Sequence, residues 1–395
     1  MHEHHDPLVG RRGFVRLVGG GVIVAAGGLG AGCSRQLPPE AIEAWNGPSP
    51  TESDMRRWIL AHAILAPHSH NLQSWLVDLR TPGEMLLRCD LERLLPATDP
   101  FSRQIMMSHG TFIELLDIAA RERGQRAEVV LFPEGVFGPD KIDQRPVARI
   151  RLVPDAAVAK DALFAQILRR HTNRNAYDLA RPVPAEAWAA MVQAVQPHAL
   201  RFGFVGADQP AALQRHRAIA AQAWRIELTT PAAILESFKV LRVGAAEVAK
   251  HRDGLTLMDP MVVWLDRLGL FDRSKAPGPD DFATTSQIKD FNAKIESTPA
   301  FLWMVSDGND RVTQINAGRA YARVQIAATA HGVAMQPLQQ ALQEYREQAK
   351  PYAEIRQLLA APAPAQTIQM WARVGFAPPV EPAPRRGVEA QLVRA

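Results

Sequence analysis

Ala66-Pro67-His68-Ser69-His70-Asn71-Leu72-Gln73-Ser74-Trp75 and Arg169-Arg170-His171-Thr172-Asn173-Arg174 are the two stretches on which the reading of this chain turns. The first is a polar loop that follows an apolar helical stretch and closes on a tryptophan. The second is a short basic run. Neither half of the chain carries a recognisable copy of the other's motif, so the two read as complementary parts of one site.

Working outward, Asp54 to Leu65 has helical periodicity and stops at Pro67. Trp75–Leu79 and Met85–Arg88 read as strands split by the turn Thr81-Pro82-Gly83. A long amphipathic helix is expected from about Gln104 to Arg123, ended by Gly124. Glu128–Phe132 and Val147–Val153 are strand-like. The second half repeats much of this: Asp161–Arg170 and Ala185–Ala194 are helical, Arg201–Val205 and Phe301–Val305 are strands, and Val312–Ala330 is a long helix ended by Gly332. The spacings also match. Arg103, Gly110 and Gly124 stand at the same intervals as Arg311, Gly318 and Gly332, and glycine near a helix start and just past its end has a separate physical reason in each place. The expectation is a degenerate duplication: a first half over 50–155 and a second over 156–395. The stretch from about 229 to 296 lacks a counterpart and reads as a helical insertion or lid, with the apolar run Met261-Val262-Val263-Trp264-Leu265 between turn-rich flanks.

At 395 residues the chain is long enough for two units of ordinary size, and 47% hydrophobic residues are enough for globular cores. A formal charge of +4, with no basic stripe interleaved with aromatics, argues against a nucleic-acid partner. Residues 1–33 read as an export leader: the twin-arginine motif Arg11-Arg12-Gly13-Phe14-Val15-Arg16 precedes an apolar run too weak to span a membrane. Leu29-Gly30-Ala31-Gly32-Cys33 loosely matches a lipoprotein cleavage box, so the expected location is periplasmic, or membrane-anchored through a lipid on Cys33. That would leave Cys89 as the mature protein's only thiol.

At these motifs the chain resembles the nitroreductase superfamily of FMN proteins. Arg169–Arg174 fits the family's basic N-terminal signature with Thr172 in place of Ser, and Tyr177-Asp178 and Pro182-Val183-Pro184-Ala185-Glu186 fit its continuation. Pro67–Trp75 resembles the second signature, with His68 and Ser74 as departures. Trp371-Ala372-Arg373-Val374-Gly375-Phe376 with Pro384-Arg385-Arg386 resembles the closing segment. The resemblance implies an α+β nitroreductase-like fold. Because the two signatures sit in different halves, it implies two tandem diverged halves forming a pseudo-dimer with one FMN site, most like the Acg branch, in which a lid covers the flavin.

Residue chemistry assigns the site. Guanidinium groups meet a phosphate with forked donors. Arg170 and Arg174 lie four apart, so on a helical turn they converge on one anion, with Thr172 donating between them, His171 beside them, and Arg385 or Arg386 closing the cage. Asn71 suits the polar edge of the flavin ring; Ser69 assists, and Gln73 assists or ties the loop backbone. The expected function is an exported FMN-dependent oxidoreductase that reduces nitroaromatic or quinone-like acceptors. The flavin carries the redox chemistry, and no residue is assigned a catalytic role. The alternative is a flavin-sequestering protein without turnover. The expected partner is a small redox substrate or none, and the oligomer a pseudo-dimeric monomer or a dimer of these. No metal is expected: His68 and His70 lack a matching carboxylate or cysteine. A nucleophile turn and a dinucleotide-binding glycine motif are also missing.

Overall fold

The structure, a computed structural model, describes residues 36–393, so the leader, its twin-arginine motif and Cys33 fall outside the described residues. The first half runs α1 (Met55–Ala63), β1 (Trp75–Asp78), β2 (Glu84–Cys89), α2 (Arg103–Glu122), β3 (Gln125–Leu131) and β4 (Ala148–Pro154). Asp54 caps α1 by accepting the Arg56 backbone N–H at 2.8 Å, and Gly83, at φ +74°, turns the hairpin between β1 and β2. The four strands are antiparallel in the order β1-β2-β4-β3.

The second half follows the same plan with an interruption. After α3 (Ala185–Val195) come β5 (Arg201–Val205) and α4 (Pro210–Thr229). The insertion then supplies α5 (Pro231–Lys239), β6 (Leu241–Val243), α6 (Gly244–His251), β7 (Leu255–Leu257), α7 (Pro260–Arg267) and α8 (Phe282–Glu296). The chain returns through β8 (Ala300–Asp307), α9 (Arg311–Ala330), β9 (Ala334–Pro337), α10 (Ala349–Leu358) and β10 (Gln366–Gly375). The second sheet is antiparallel in the order β5-β8-β10-β9. Counted within its own half, each sheet is ordered first, second, fourth, third. Each has its long helix between the second and third strands.

Those two helices, α2 and α9, cross at the repeated glycines. A Cβ on Gly110 would fall on the carbonyl oxygen of Ile315, and one on Gly318 would fall on that of Met107. Only hydrogen at both positions lets the backbones meet. The crossing also joins the cores. Ile315, Ala322 and Ile326 of α9 are buried with the first-half core, while Met107 of α2 is buried with the second. Gly124 and Gly332 end the helices at φ +64° and +67°.

The insertion has a core of its own, including Phe238, Leu257, Val262 and Phe271. It is tied to the first half by charge. The Glu236 carboxylate accepts the Ala97 and Thr98 N–H groups at 2.7 and 2.9 Å, and buried Asp253 accepts from Arg93 and Arg242. The expected amphipathic helix is α7, but its Met261 and Trp264 are 66% and 56% exposed, so part of its apolar face points outward.

Candidate functional site

The loop after α1 is bent against its own side chains. His70, Asn71 and Gln73 all have positive φ, at 48°, 55° and 54°. Asn tolerates this region, whereas His and Gln pay for it, and such strain persists only where the surroundings over-determine it. Here they do. Gln73 is fully buried; its Nε2 donates to the Arg252 carbonyl at 3.0 Å and its Oε1 accepts the Arg386 N–H at 3.0 Å. The Gly254 N–H donates to the Asn71 carbonyl at 3.1 Å. Gln73 therefore ties the loop. Asn71 faces the C-terminal segment, accepting from the Arg385 guanidinium and donating to the Pro384 carbonyl at 3.0 Å. Ser69 Oγ lies 3.5 Å from His70 Nδ1, and the Ser69 N–H donates to Ser108 Oγ at 3.2 Å.

The basic run differs from the sequence expectation. The helical segment before it is a 3-10 helix, Ala162–Arg169, capped by the Asp161 carboxylate on the Leu163 N–H at 3.0 Å. Arg170 is already extended, so no helical turn carries Arg170 and Arg174 to one face. The two guanidinium groups behave differently as a result. Arg170 is 2% exposed and donates to Gln325 Oε1 at 3.1 Å and the Leu65 carbonyl at 3.0 Å. Arg174 is exposed, and the protein packed around it lowers its pKa by desolvation. Thr172 does not donate between them; its Oγ1 accepts from Gln325 Nε2 at 3.5 Å.

What brings the halves together is α9 and one tryptophan. Tyr321 and Gln325, one turn apart on α9, face the basic run. Tyr321 is buried with its hydroxyl unpartnered among the described residues; burial raises its pKa, while Arg170 and Arg174 pull it back. Burial, with the charge of Arg174 second, depresses His70 to about 4. Trp45 supplies the second link. Its ring centroid lies 5.4 Å from the Arg170 guanidinium, 5.7 Å from that of Arg385 and 5.0 Å from the His171 ring.

Charge is the most informative property of this place. Among the described residues, no carboxylate lies within ion-pair distance of Arg170, Arg174, Arg385 or Arg386. Arg385 and Arg386 are 3% and 9% exposed. Burial followed by the neighbouring Arg170 and Arg386 holds Arg385 well below its ordinary range, and burial lowers Arg170 to about 10. Arg170, Arg385 and Arg386 each leave the Nε buried and unpartnered, and His171 Nε2 is in the same state. Uncompensated buried cations are expensive, and an anion would relieve them. Nearby, Arg373 is fully buried over the Tyr177 ring, 3.9 Å from its centroid, and donates to Gln336 and to the carbonyls of Asn175 and Lys294.

The structure thus brings Asn71, Arg385, Arg170 and His171 into one chain of contacts through Trp45. Trp45, Tyr321, Gln325 and Arg373 belong to the same neighbourhood and were not expected from the sequence. The i, i+4 spacing of Tyr321 and Gln325 on the repeated helix was the available signal. The insertion touches the loop three times: through Gly254 on Asn71, Arg252 on Gln73, and Ser237 Oγ at 3.3 Å from His70 Nε2. A cavity of about 340 Å³ lies further along the same run, against Tyr177, Asp178 and Arg181. It sets Asp178 beside Arg181, whose guanidinium lies 3.5 Å from the Phe376 ring centroid, so unlike the arginine group it carries no surplus positive charge. Among the described residues, no cluster of three His, Cys, Asp or Glu could hold a metal, and no helix is long and apolar enough to cross a membrane.

The chain is 30% identical over 352 residues to the Mycobacterium tuberculosis protein named "Putative NAD(P)H nitroreductase Rv3131" in strain H37Rv, spanning 85% of this chain and 90% of that one. The counterpart in strain CDC 1551 / Oshkosh matches to the same extent. No family model matches. Solved structures that overlay loosely include the FMN-dependent nitroreductase NfnB from Mycobacterium smegmatis in complex with NADPH, at 17% identity and TM-score 0.36 over 58% of this chain and 96% of that one. Another is iodotyrosine deiodinase bound to FMN and 3-iodo-L-tyrosine, at 14% identity and TM-score 0.33 over 57% and 96%.

Proposed function

We propose that this chain, which belongs to the nitroreductase family, binds FMN between the Asn71 loop and the Arg170–Arg174 run and serves as an exported FMN-dependent oxidoreductase. The observation that carries the reading is the set of four arginines without a carboxylate, three of them with a buried, unpaired Nε. A phosphate dianion offers the missing charge and the missing acceptors together. Arg170, His171 and Arg385 would hold that phosphate, and Arg174, which is exposed, would meet a second polar edge. The Asn71 loop, pinned in its strained form by Gln73, would supply a fixed wall.

FMN supplies two-electron redox chemistry when bound; the protein's residues bind, orient and exclude water. The acceptors we propose are nitroaromatic or quinone-like compounds. The matching sheet orders and the glycine crossing support a fused pseudo-dimer with one composite site, because the arginine run lies in one half and the Asn71 loop in the other. The leader of residues 1–33 supports export by the twin-arginine route, with Cys33 a candidate for lipidation.

A second reading, flavin sequestration without turnover, is favoured by the three contacts the insertion makes with the Asn71 loop, since a cover fixed at that edge would keep substrate out. One experiment separates the two. The purified protein is loaded with FMN, reduced with dithionite under anaerobic conditions and mixed with a nitroaromatic. Reoxidation supports the enzyme. Retained yellow FMN without reoxidation supports sequestration. A protein that takes up no FMN overturns both.

A further inference from the structure

Residues Leu37–Asn46 form a strap that crosses the C-terminal segment before reaching the site. The Arg385 N–H donates to the Ala41 carbonyl at 2.8 Å, Trp45 Nε1 donates to the Ala383 carbonyl at 2.8 Å, and the Leu37 N–H donates to Glu381 Oε2 at 3.3 Å. The strap ends in Trp45, which is 8% exposed. Three side chains with one buried, unpartnered nitrogen each (Arg170, Arg385 and His171) surround that single ring.

The terminal nitrogens of both arginines are already spent. Arg170 uses its pair on Gln325 and Leu65, and Arg385 uses its pair on Asn71 and the Ala66 carbonyl at 2.9 Å. The nitrogens left over are the two Nε groups, on side chains that flank the ring. An indole face attracts each cation, but it accepts no conventional hydrogen bond and carries no net charge. It therefore lessens the repulsion between the two arginines without satisfying their donors. It also keeps water out, which strengthens any charge pairing beneath it.

Resting on the FMN reading above, we propose that the strap Leu37–Asn46 is a clamp on the cofactor's phosphate end, with Trp45 closing the seat formed by Arg170, His171 and Arg385. The clamp acts on the phosphate and not on the ring system. Its removal therefore distinguishes two flavins that differ only there: FMN, and riboflavin, which has no phosphate.

The test measures release of each flavin from the full-length protein, by the rise in flavin fluorescence on dilution, in wild type, Trp45→Ala and Trp45→Phe. The clamp predicts that Trp45→Ala speeds FMN release at least tenfold and leaves riboflavin release within twofold, with Trp45→Phe in between. Slower FMN release from Trp45→Ala overturns the clamp, because Trp45 would then be competing with the phosphate. Equal acceleration for both flavins also overturns it, since the strap would be supporting the fold alone. An unchanged FMN rate removes the clamp and leaves the FMN reading standing, whereas a wild type that binds no FMN removes both. If Trp45→Ala fails to fold, Trp45→Phe decides: FMN release unchanged from wild type, or faster for both flavins alike, overturns the clamp.

Discussion

Two faces of α9 carry opposite electrostatics. On one, Arg319 and Arg323 reach α2 and are closed by carboxylates: Glu114 accepts from Arg319 at 2.7 Å and Arg323 at 2.8 Å, and Asp161 accepts from Arg323 at 2.8 Å. On the other, roughly 200° around the helix, Tyr321 and Gln325 look toward Arg170 and Arg174, which meet no acid. Burial would raise Glu114, yet its two arginines outweigh that and hold it low. Arginine alone thus says little about function. A buried arginine closed by carboxylates, or by carbonyls as Arg373 is, is part of the architecture; Arg170, with no acid and its Nε unpaired, is open to an anion.

The largest expected effect tests that division directly. Arg170→Ala combined with Arg174→Ala should weaken FMN binding about a thousandfold, roughly 4 kcal/mol, measured by titration of the apoprotein. Arg319→Ala should change it by less than about threefold. If the two variants weaken FMN alike, the contrast between the faces is wrong.

Next is the closed face. Glu114→Gln leaves Arg319 and Arg323 short of their shared counter-charge, and breaking a buried pair from one side costs about 3 kcal/mol. Urea unfolding should register that loss while FMN affinity in the folded protein stays within about twofold. The crossing that holds the faces apart is nearly as sensitive. Gly318→Ala pushes a methyl into the Met107 carbonyl, an overpacking expected to cost about 2 kcal/mol. A neutral Gly318→Ala would mean that α2 and α9 do not meet there.

This crossing is also where the sequence was most legible. Arg103-Gly110-Gly124 and Arg311-Gly318-Gly332 hold their spacing because both glycines meet backbone and both stop signals need positive φ. The short strands β1, which alternates buried and half-buried, and β5 were readable too. By contrast β10 is buried along nearly its whole length, Gln369 and Arg373 included, so it has no alternation to read. At the candidate site, the sequence displays residue types but not their geometry. The helix ends at Arg169, so Arg170 and Arg174 are not one helical turn apart. His70 and Gln73 take positive φ against their own preference, because Gln73 is anchored by Arg252 and Arg386, partners more than 170 positions away. Trp45, some 125 residues before the basic run, joins it only through tertiary packing.

Acidity separates the faces by a smaller margin. His171 beside the open arginines and His198 near Glu114 are both held at about 4, chiefly by burial. An unfolded histidine titrates near 6.5. Between pH 6.5 and 4 the unfolded chain takes up protons that the folded one refuses, so stability should fall as pH drops through that window. FMN bound at Arg170 and Arg385 would raise His171 and leave His198 alone. Melting curves from pH 6.5 to 4 should therefore decline less steeply for the FMN-loaded protein than for the apoprotein. Equal slopes would place no anion beside His171.

The smallest effect has opposite signs in two measurements. Tyr321 buries a hydroxyl with no partner among the described residues, between Arg170 and Arg174, and an unsatisfied buried hydroxyl costs free energy in the ligand-free fold. Tyr321→Phe removes that cost, so the apoprotein should gain about 1 kcal/mol against urea. If the hydroxyl exists to meet a ligand, the same variant should bind FMN about fivefold more weakly, because one hydrogen bond is lost only in the complex. A gain in stability with unchanged affinity would make Tyr321 a flaw in packing. Loss on both counts would mean that its hydroxyl serves the fold. Only the split result ties this face of α9 to a ligand.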